Sequence, residues 1–506
     1  MVCTQSFSPT TVGGAADGPP LFPSGLLPLK AQFGGLMLYM VNFCPVRVQR
    51  FELVGLIDRL GDSQTVAVQD NDYLSRADAA VSFPDAKGRV FLMPKAEVAE
   101  RTFGKLMDDG VRQGMTAFEI DFMEKNFEAV PYLRDTAGAA DGVLAGLSRA
   151  AAARGLPTQL CSDSPRDVIA AAAMPAVTQF RGSLDYACDC GAEPLSGNWD
   201  VGQQTLLISS LGLGASKDTF MTQGEEKGIN HKQAGNCTVD NGHAELDLFL
   251  ATLSGGPVGF GDGIGDTDRA LLMRCCTDGG RILRATSAST PIDATWAAGR
   301  SPPASQEPPK AAAAVWSAHT SINASVFHFV TAIDVPTSFP LLPADLWPAP
   351  SGPLVLRRAW HAPVCVDGAQ AAACGVAAGL GDARTGLPAG RCQNKTQDKS
   401  TCTAIGAHRW ELTTISPVTS GGVALLGELS KVVSVSPARF REVVTTAAGG
   451  LRVTVVGTPG ERVELAFVVG HAPPAKMGTV RTAVATIAAD GEATATVQPA
   501  ENEEFY

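Results

Sequence analysis

The sequence predicts an α/β fold: a (β/α)8 TIM-type barrel followed by a C-terminal antiparallel β-sandwich. Three observations predict it. Over residues 1–300 short apolar runs alternate with amphipathic stretches, the rhythm of parallel strands and covering helices. A Pro- and Ala-rich segment, SPPASQEPPKAAAA at 301–314, interrupts that rhythm. Beyond it the chain turns β-rich, with alternating runs parted by Gly/Pro turns. The expected domains are a disordered 1–20, a barrel over 21–300, a linker at 301–314 and a sandwich over 315–506.

The barrel strands fall at Leu36–Asn42, Val90–Met93, Ala117–Asp121, Thr158–Cys161, Ala176–Arg181, Thr219–Thr222 and Pro257–Gly261. These are seven strands where a complete barrel has eight. An open Rossmann-like sheet is the alternative, although no Gly-rich fingerprint follows the first strand. Two helices are explicit. Over Lys95–Asp109, Val98, Phe103, Leu106 and Met107 share a face and Gly110 follows as a stop. Over Asp141–Arg154, Val143, Leu144 and Leu147 repeat the pattern before Gly155 and Pro157. In the sandwich the expected strands are Ser325–Ile333, Leu354–Trp360, Arg409–Ile415, Leu451–Val456, Arg462–Val469 and Val480–Ile487.

Composition narrows the function. Charged residues make up 18% and apolar residues 45% of the 506, which excludes a chain disordered throughout. The net charge of −11 and the lack of a basic block argue against a nucleic-acid partner. The most apolar stretch, Phe33–Phe43, is too short to span a bilayer, so no membrane partner is expected. Twelve cysteines and sequons at Asn236, Asn323 and Asn394 point toward a secretory route, while residues 1–20 contain no signal peptide. Cys365, Cys374, Cys392 and Cys402 are the best disulfide candidates.

Familiar catalytic signatures are lacking: there is no HExxH, no Cys-x-x-Cys and no Gly-x-Ser-x-Gly. Cys188 and Cys190 lack a partner pair for a metal, and GFGDGIG (259–265) fits no phosphate loop. What remains is carboxylates at strand ends. In FEIDF, Glu119 and Asp121 stand two apart and so point to one face of a strand. FRGSLDY then sets Arg181, Ser183 and Asp185 at and just past the strand after next. Two carboxylates on alternate barrel strands are the equipment for glycoside hydrolysis; helix capping is the structural alternative.

The runs PTQLCSDSPRDVIAAAAMPAVTQFRGSLDY, NWDVGQQTLLISSLGLGASKDTFMT and LSGGPVGFGDGIGDTDRALLMRCCTDGGRILRATSASTPIDA resemble the melibiase-like clan of glycosidases. Within it they are near the α-galactosidases and raffinose synthases of glycoside hydrolase family 36. The resemblance implies that Asp121 is the nucleophile and Asp185 the acid/base. It also implies that Gly255, Gly256, Pro257 and Asp262 line the sugar pocket. The stretch Gly421–Phe440 looks like the clan's C-terminal β-domain. Further expected sugar contacts are Glu119, Arg181, Lys217, Asn42 and Trp199, with Asp218 beside Lys217. The chemistry requires no metal and no cofactor, and the partner is a carbohydrate. Departures are plain: the clan's N-terminal sandwich and first barrel strand are not matched, and YMVNF (39–43) keeps only Asn42 of a His-Asn-Arg motif. Phe118, Ile120 and Phe122 replace three residues of Tyr-Glu-Gln-Asp-Trp. The expected activity is a retaining α-galactosidase-like hydrolase or transglycosylase. The alternative is a catalytically impaired carbohydrate-binding relative or a truncated chain.

Overall fold

A computed structural model describes residues 31, 39–42, 80–84, 90–112, 114–120, 131–161, 165–183, 196–222, 244–262, 265–293, 314–333, 339–361, 376–379, 385–387, 410–470 and 479–500. The chain divides into two compact units, residues 1–181 with 211–214, and residues 182–210 with 215–506. The fold is mixed α/β, with a parallel sheet early in the chain and antiparallel sheets toward the C-terminus.

In the first unit the elements are β1 (Tyr39–Asn42), β2 (Ala80–Pro84), β3 (Val90–Pro94), α1 (Ala96–Arg112), β4 (Ala117–Ile120), α2 (Pro131–Asp135), α3 (Ala139–Ala152), β5 (Thr158–Leu160), α4 (Pro165–Ala171) and β6 (Val177–Arg181). Strands β1, β4, β5 and β6 pair in parallel in that order. Strand β7 (Gly214–Ser216) spans the boundary between the two units in the chain. Each sheet neighbour is the next such strand in the chain, so the sheet is wound in one direction; a Rossmann sheet instead reverses at a switch point. One expected strand is corrected. Among the described residues Val90–Met93 does not join this sheet but pairs antiparallel with β2, and the intervening sequence DAKGR (85–89) contains turn-forming Asp and Gly.

Helices α1 and α3 meet through small residues. A Cβ on Gly142 would lie 2.5 Å from the Ala96 Cβ, and one on Gly146 would lie 2.7 Å from the Ala99 Cβ and 2.8 Å from the Glu100 nitrogen. Arg154 then clamps the pair, its guanidinium donating to both Asp108 oxygens at 2.7 and 2.9 Å. α1 runs through Gly110 and ends later than expected. Gly114, at φ 94°, is the left-handed residue, with Gly114 N donating to Val111 O and Met115 N to Gly110 O. α3 ends as the sequence predicts, with Gly155 at φ 64° and the same pair of bonds, Gly155 N to Ala152 O and Leu156 N to Ala151 O.

The second unit holds α5 (Ser196–Ser210), α6 (Ala244–Leu253), α7 (Arg269–Leu272) and strands β8 (Thr290–Pro291) to β21. Its six-stranded sheet uses β8, β9 (Ala314–Ile322), β10 (Ser325–Ile333), β12 (Leu354–His361), β13 (Val376–Gly379) and β15 (Trp410–Pro417), while β11 (Phe339–Leu341) pairs with β14 (Thr385–Leu387). β9 was not expected, and it begins on the last residue assigned to the linker. Every residue of α6 from Leu246 to Leu253 is buried, the polar Asp247 and Thr252 included, so the helix is enclosed on all sides. It shares a core with Trp316, Phe329, Trp410 and Leu412 of the sheet, and Phe249 stands edge-on to Trp410 at 5.0 Å. Gly202 admits Trp316 against α5, because a Cβ there would lie 2.3 Å from its ring.

Two three-stranded antiparallel sheets complete the unit. One orders β16 (Val423–Gly427), β19 (Arg462–Val469) and β20 (Thr479–Thr486); the other orders β17 (Phe440–Thr445), β18 (Leu451–Val456) and β21 (Glu492–Val497). Val423, Leu425, Val453, Val455, Leu465 and Phe467 form the core they share. Ala424 and Leu426 point the other way and pack with Val355, so β16 is covered on both faces and reads VALLG. At the β9–β10 turn Asn323 adopts φ 52°, and its Oδ1 accepts the Val443 N–H at 3.0 Å, so this sequon asparagine also has a structural task.

Helix glycine to alanine ordinarily stabilises by about 0.5–1 kcal/mol. Gly146→Ala is expected to do the reverse, because its new methyl meets Ala99 and helix backbone; a lower urea midpoint at unchanged m-value is the check.

His328, paired in register with His319 and Ile415, is fully buried, and neither ring nitrogen has a hydrogen-bond partner among the described residues. Burial, reinforced by His319, pulls it down to about 4 from the ordinary 6.5. The unfolded chain therefore takes up this proton first, and stability falls as pH drops from 6.5 toward 4, levelling below. His328→Leu is expected to remove that slope and to gain about 2 kcal/mol at pH 5 in urea titrations run across pH 4–7.

Candidate active site

On the sheet of the first unit the two faces differ in chemistry. Phe118, Ile120, Leu160 and Phe180 are buried on one face. Glu119 pairs in register with Gln159, and Gln159 with Gln179, so these three occupy the other face together with Arg181 two residues on. All four are partly exposed. A bulge between Thr158 and Gln159 sets the match: Thr158 faces Val177 but Gln159 faces Gln179, which leaves Thr178 as the extra residue. Gln179 Nε2 donates to Gln159 Oε1 at 2.9 Å. The result is a polar stripe across β4, β5 and β6. Its charged members Glu119 and Arg181 are expected from the sequence; Gln159 and Gln179 are not among the expected residues, although the alternation in TQL and VTQFR carries the signal.

The expected catalytic pair is not among the described residues. Asp121 follows Ile120 directly, and Asp185 lies two residues beyond Ser183. Asn42 closes β1 in register with Ile120. Trp199 lies in α5, and its side chain is outside the described set.

In the second unit, the segments 215–222 and 255–262 run side by side through parallel bridges at Ala215–Gly255 and Phe220–Phe260. The Phe220–Phe260 bridge stands where regular strands Thr219–Thr222 and Pro257–Gly261 were expected, and the Ala215–Gly255 bridge precedes both. The glycines of the Gly-Gly-Pro segment have a backbone explanation. Gly255 sits at φ 88°, and a Cβ on Gly256 would fall 2.2 Å from the Ala215 oxygen.

Three expected polar contacts lie here. Lys217 Nζ is 3.1 Å from Asp247 Oδ1 of α6, with both side chains 5% exposed, and it stands 5.9 Å from the Phe220 ring centroid. Asp262 accepts from Thr222 twice at 2.8 Å, from its N–H and from its hydroxyl. The same hydroxyl accepts the Asp268 N–H at 2.7 Å, and Asp268 caps α7 through the Leu271 N–H. Asp218 makes two bonds: its N–H donates to Ser183 Oγ, 35 residues earlier, and its carboxylate accepts the adjacent Thr219 N–H, both at 2.8 Å. Asp247 and Thr222 were not foreseen, because long-range pairing leaves no short motif.

Among the described residues no group of three or more His, Cys, Asp and Glu is arranged to hold a metal ion. None of the described helices is long and apolar enough to cross a membrane. Comparison with protein-family models gave no match, and a search of curated proteins gave none either.

A buried ion pair broken on one side is destabilising by about 3–5 kcal/mol, since the surviving charge is left uncompensated. Lys217→Met is therefore expected to lower the stability of the folded chain by that order, and Lys217→Met with Asp247→Leu to recover most of it. Chemical denaturation of the three variants measures this; a Lys217→Met chain as stable as wild type would mean that Asp247 does not depend on it.

Proposed function

We propose that the chain is a retaining glycoside hydrolase of the melibiase-like type, α-galactosidase-like, or a transglycosylase using the same covalent intermediate. One observation carries the reading. β4 and β6 run parallel with one strand between them, so both end at the same edge of the sheet, with Glu119 and Arg181 on one face. The two proposed catalytic aspartates follow those two strands in sequence. Parallel sheets place their chemistry at the carboxyl ends of the strands. The single direction of winding favours closure of the sheet into a (β/α)8 barrel over an open doubly wound sheet.

In the proposed mechanism Asp121 attacks the anomeric carbon while Asp185 protonates the departing glycosidic oxygen. The glycosyl–aspartate ester is then cleaved by water, or by an acceptor sugar, whose proton passes to Asp185. Retention requires carboxyl groups about 5–5.5 Å apart. The face bearing Glu119, Gln159, Gln179 and Arg181 supplies donors and acceptors suited to sugar hydroxyls. A carbohydrate-binding relative without activity is the second reading. What favours it is that Lys217 and Asp262, two expected sugar contacts, already bind Asp247 and Thr222.

Aryl α-galactosides and α-glucosides test the proposal. Turnover with retained anomeric configuration is expected, with Asp121→Ala lowering kcat by at least about a thousandfold. A 2-fluoro glycosyl fluoride is expected to label Asp121. Activity that survives both Asp121→Ala and Asp185→Ala removes the assignment; tight sugar binding without turnover selects the second reading.

A further inference from the structure

Cys275 and Cys276 are neighbours in the chain and follow α7 closely. Both are free thiols, 5% and 9% exposed. Their sulfurs converge on one acceptor, the Leu272 carbonyl, at 3.1 Å for Cys275 and 3.7 Å for Cys276, and the Cys276 sulfur also stands 3.8 Å from Met273 Sδ. A cation is placed beside them: Lys431 Nζ donates to the carbonyls of Met273 and Cys276, both at 2.8 Å. The surrounding backbone is tied down, with Leu283 N–H donating to Cys275 O at 2.8 Å and Val432 N–H to Arg274 O at 2.9 Å. None of these groups takes part in the proposed glycosidase chemistry.

We propose that Cys275 and Cys276 form a peroxide-sensitive vicinal dithiol, with Cys276 the sulfur that reacts first and Cys275 the one that resolves. The assignment of roles follows the local electrostatics. The hydrogen bond from Cys275 holds Cys276 down at about 7 against the opposing effect of burial, and Lys431 adds to it. The same hydrogen bond and burial push Cys275 upward. A thiolate, not a thiol, is the nucleophile.

The chemistry balances with one molecule of hydrogen peroxide. The Cys276 thiolate attacks a peroxide oxygen, the O–O bond breaks, and the released hydroxide takes up a proton to become water; Cys276 is now a sulfenic acid. The Cys275 sulfur attacks Cys276, the S–O bond breaks and the S–S bond forms. The departing hydroxyl leaves as water with the Cys275 proton. Two electrons pass from the thiols to the peroxide.

Adjacent residues joined by a trans peptide have Cα atoms about 3.8 Å apart, short of the roughly 4.4–6.8 Å that disulfides favour. The product is therefore strained and easily reduced, which is the mark of a labile rather than a structural bridge. Twisting the Cys275–Cys276 peptide also pulls the Cys275 carbonyl from Leu283 and the Cys276 carbonyl from Lys431. Oxidation is thus coupled to loosening of residues 274–283.

The test treats the native full chain with hydrogen peroxide, blocks remaining thiols, and maps the peptides by mass spectrometry, with buried Cys161 as internal reference. Expected is an intra-peptide disulfide at Cys275–Cys276, reversed by dithiothreitol, together with faster exchange of the Leu283 amide. In Cys275→Ala a sulfenic acid trapped by dimedone is expected at Cys276, whereas Cys276→Ala leaves Cys275 unoxidised. Wild-type mapping alone decides the matter if either variant fails to fold. Both thiols remaining as alkylatable as before treatment, or Cys276 pairing with a distant cysteine, overturns the proposal. Neither result bears on glycosidase activity, which is read separately on aryl glycosides.

Discussion

Arg439 has no exposed side-chain surface, and its neighbourhood is organised to keep that charge out of water. Its Nε donates to Glu428 at 3.2 Å, one terminal nitrogen donates to the Val456 carbonyl at 2.8 Å, and the other pairs with Glu461. Lys431 stands 3.9 Å from Glu428, so two cations balance two carboxylates. The pair of acids divides by environment. Burial raises Glu428 despite Arg439 and Lys431. Burial acts the same way on Glu461, but there the bonds from Arg439 and from the Asp278 and Thr458 N–H groups outweigh it and hold the carboxyl at about 2. Buried charge is tolerated only when such bonds are complete. Completeness requires Gly457, where a Cβ would fall 2.4 Å from Glu461 and 2.5 Å from Arg439.

This network reaches well beyond the two small sheets. Glu461 accepts from Asp278, Lys431 donates to Met273 and Cys276, and Ser436 Oγ donates to the Arg284 carbonyl at 2.7 Å. Residues 273–284 are thereby fixed to the β16–β19 region at several points. Those residues follow α7, whose cap Asp268 is bonded to Thr222, which in turn binds Asp262. A chain of specific polar bonds therefore runs from the deepest charge of the C-terminal sheets to the glycine-rich segment. The placement of Asp262 depends on contacts made about 200 residues later in the chain.

Legibility in the sequence followed how one-sided each element's environment is. Ser325–Ile333, Leu451–Val456 and Arg462–Val469 match the expected bounds, because β-branched runs bounded by turns leave few alternatives. β16 escaped notice for the opposite reason: covered on both faces, VALLG has no alternation to read. β9 was obscured by the alanine run that precedes it. Gly110 looked like a helix stop, yet nothing local distinguishes it from Gly114, and only the tertiary seat of α1 decides. At the candidate site Glu119 and Arg181 could be named from strand ends. The bulge that brings Gln159 opposite Gln179 could not, since register belongs to a pair of strands and neither sequence holds it alone.

The glycines show why a family-like motif and a structural requirement can coincide. Gly255 and Gly256 lie where the resemblance expects a sugar pocket, yet each is already demanded by the backbone, one by its left-handed conformation and one by the Ala215 carbonyl. Lys217 likewise is demanded by Asp247 within the buried surface of α6. Such residues are required by the fold whether or not a sugar ever binds. Glu119 and Arg181 stand on the partly exposed polar face of the sheet while their neighbours in sequence fill the apolar face. A strand that needed only to be buried would gain from apolar residues on both faces. The polar face, beside the strand ends that precede Asp121 and Asp185, is where the proposed carbohydrate chemistry would draw its donors and acceptors.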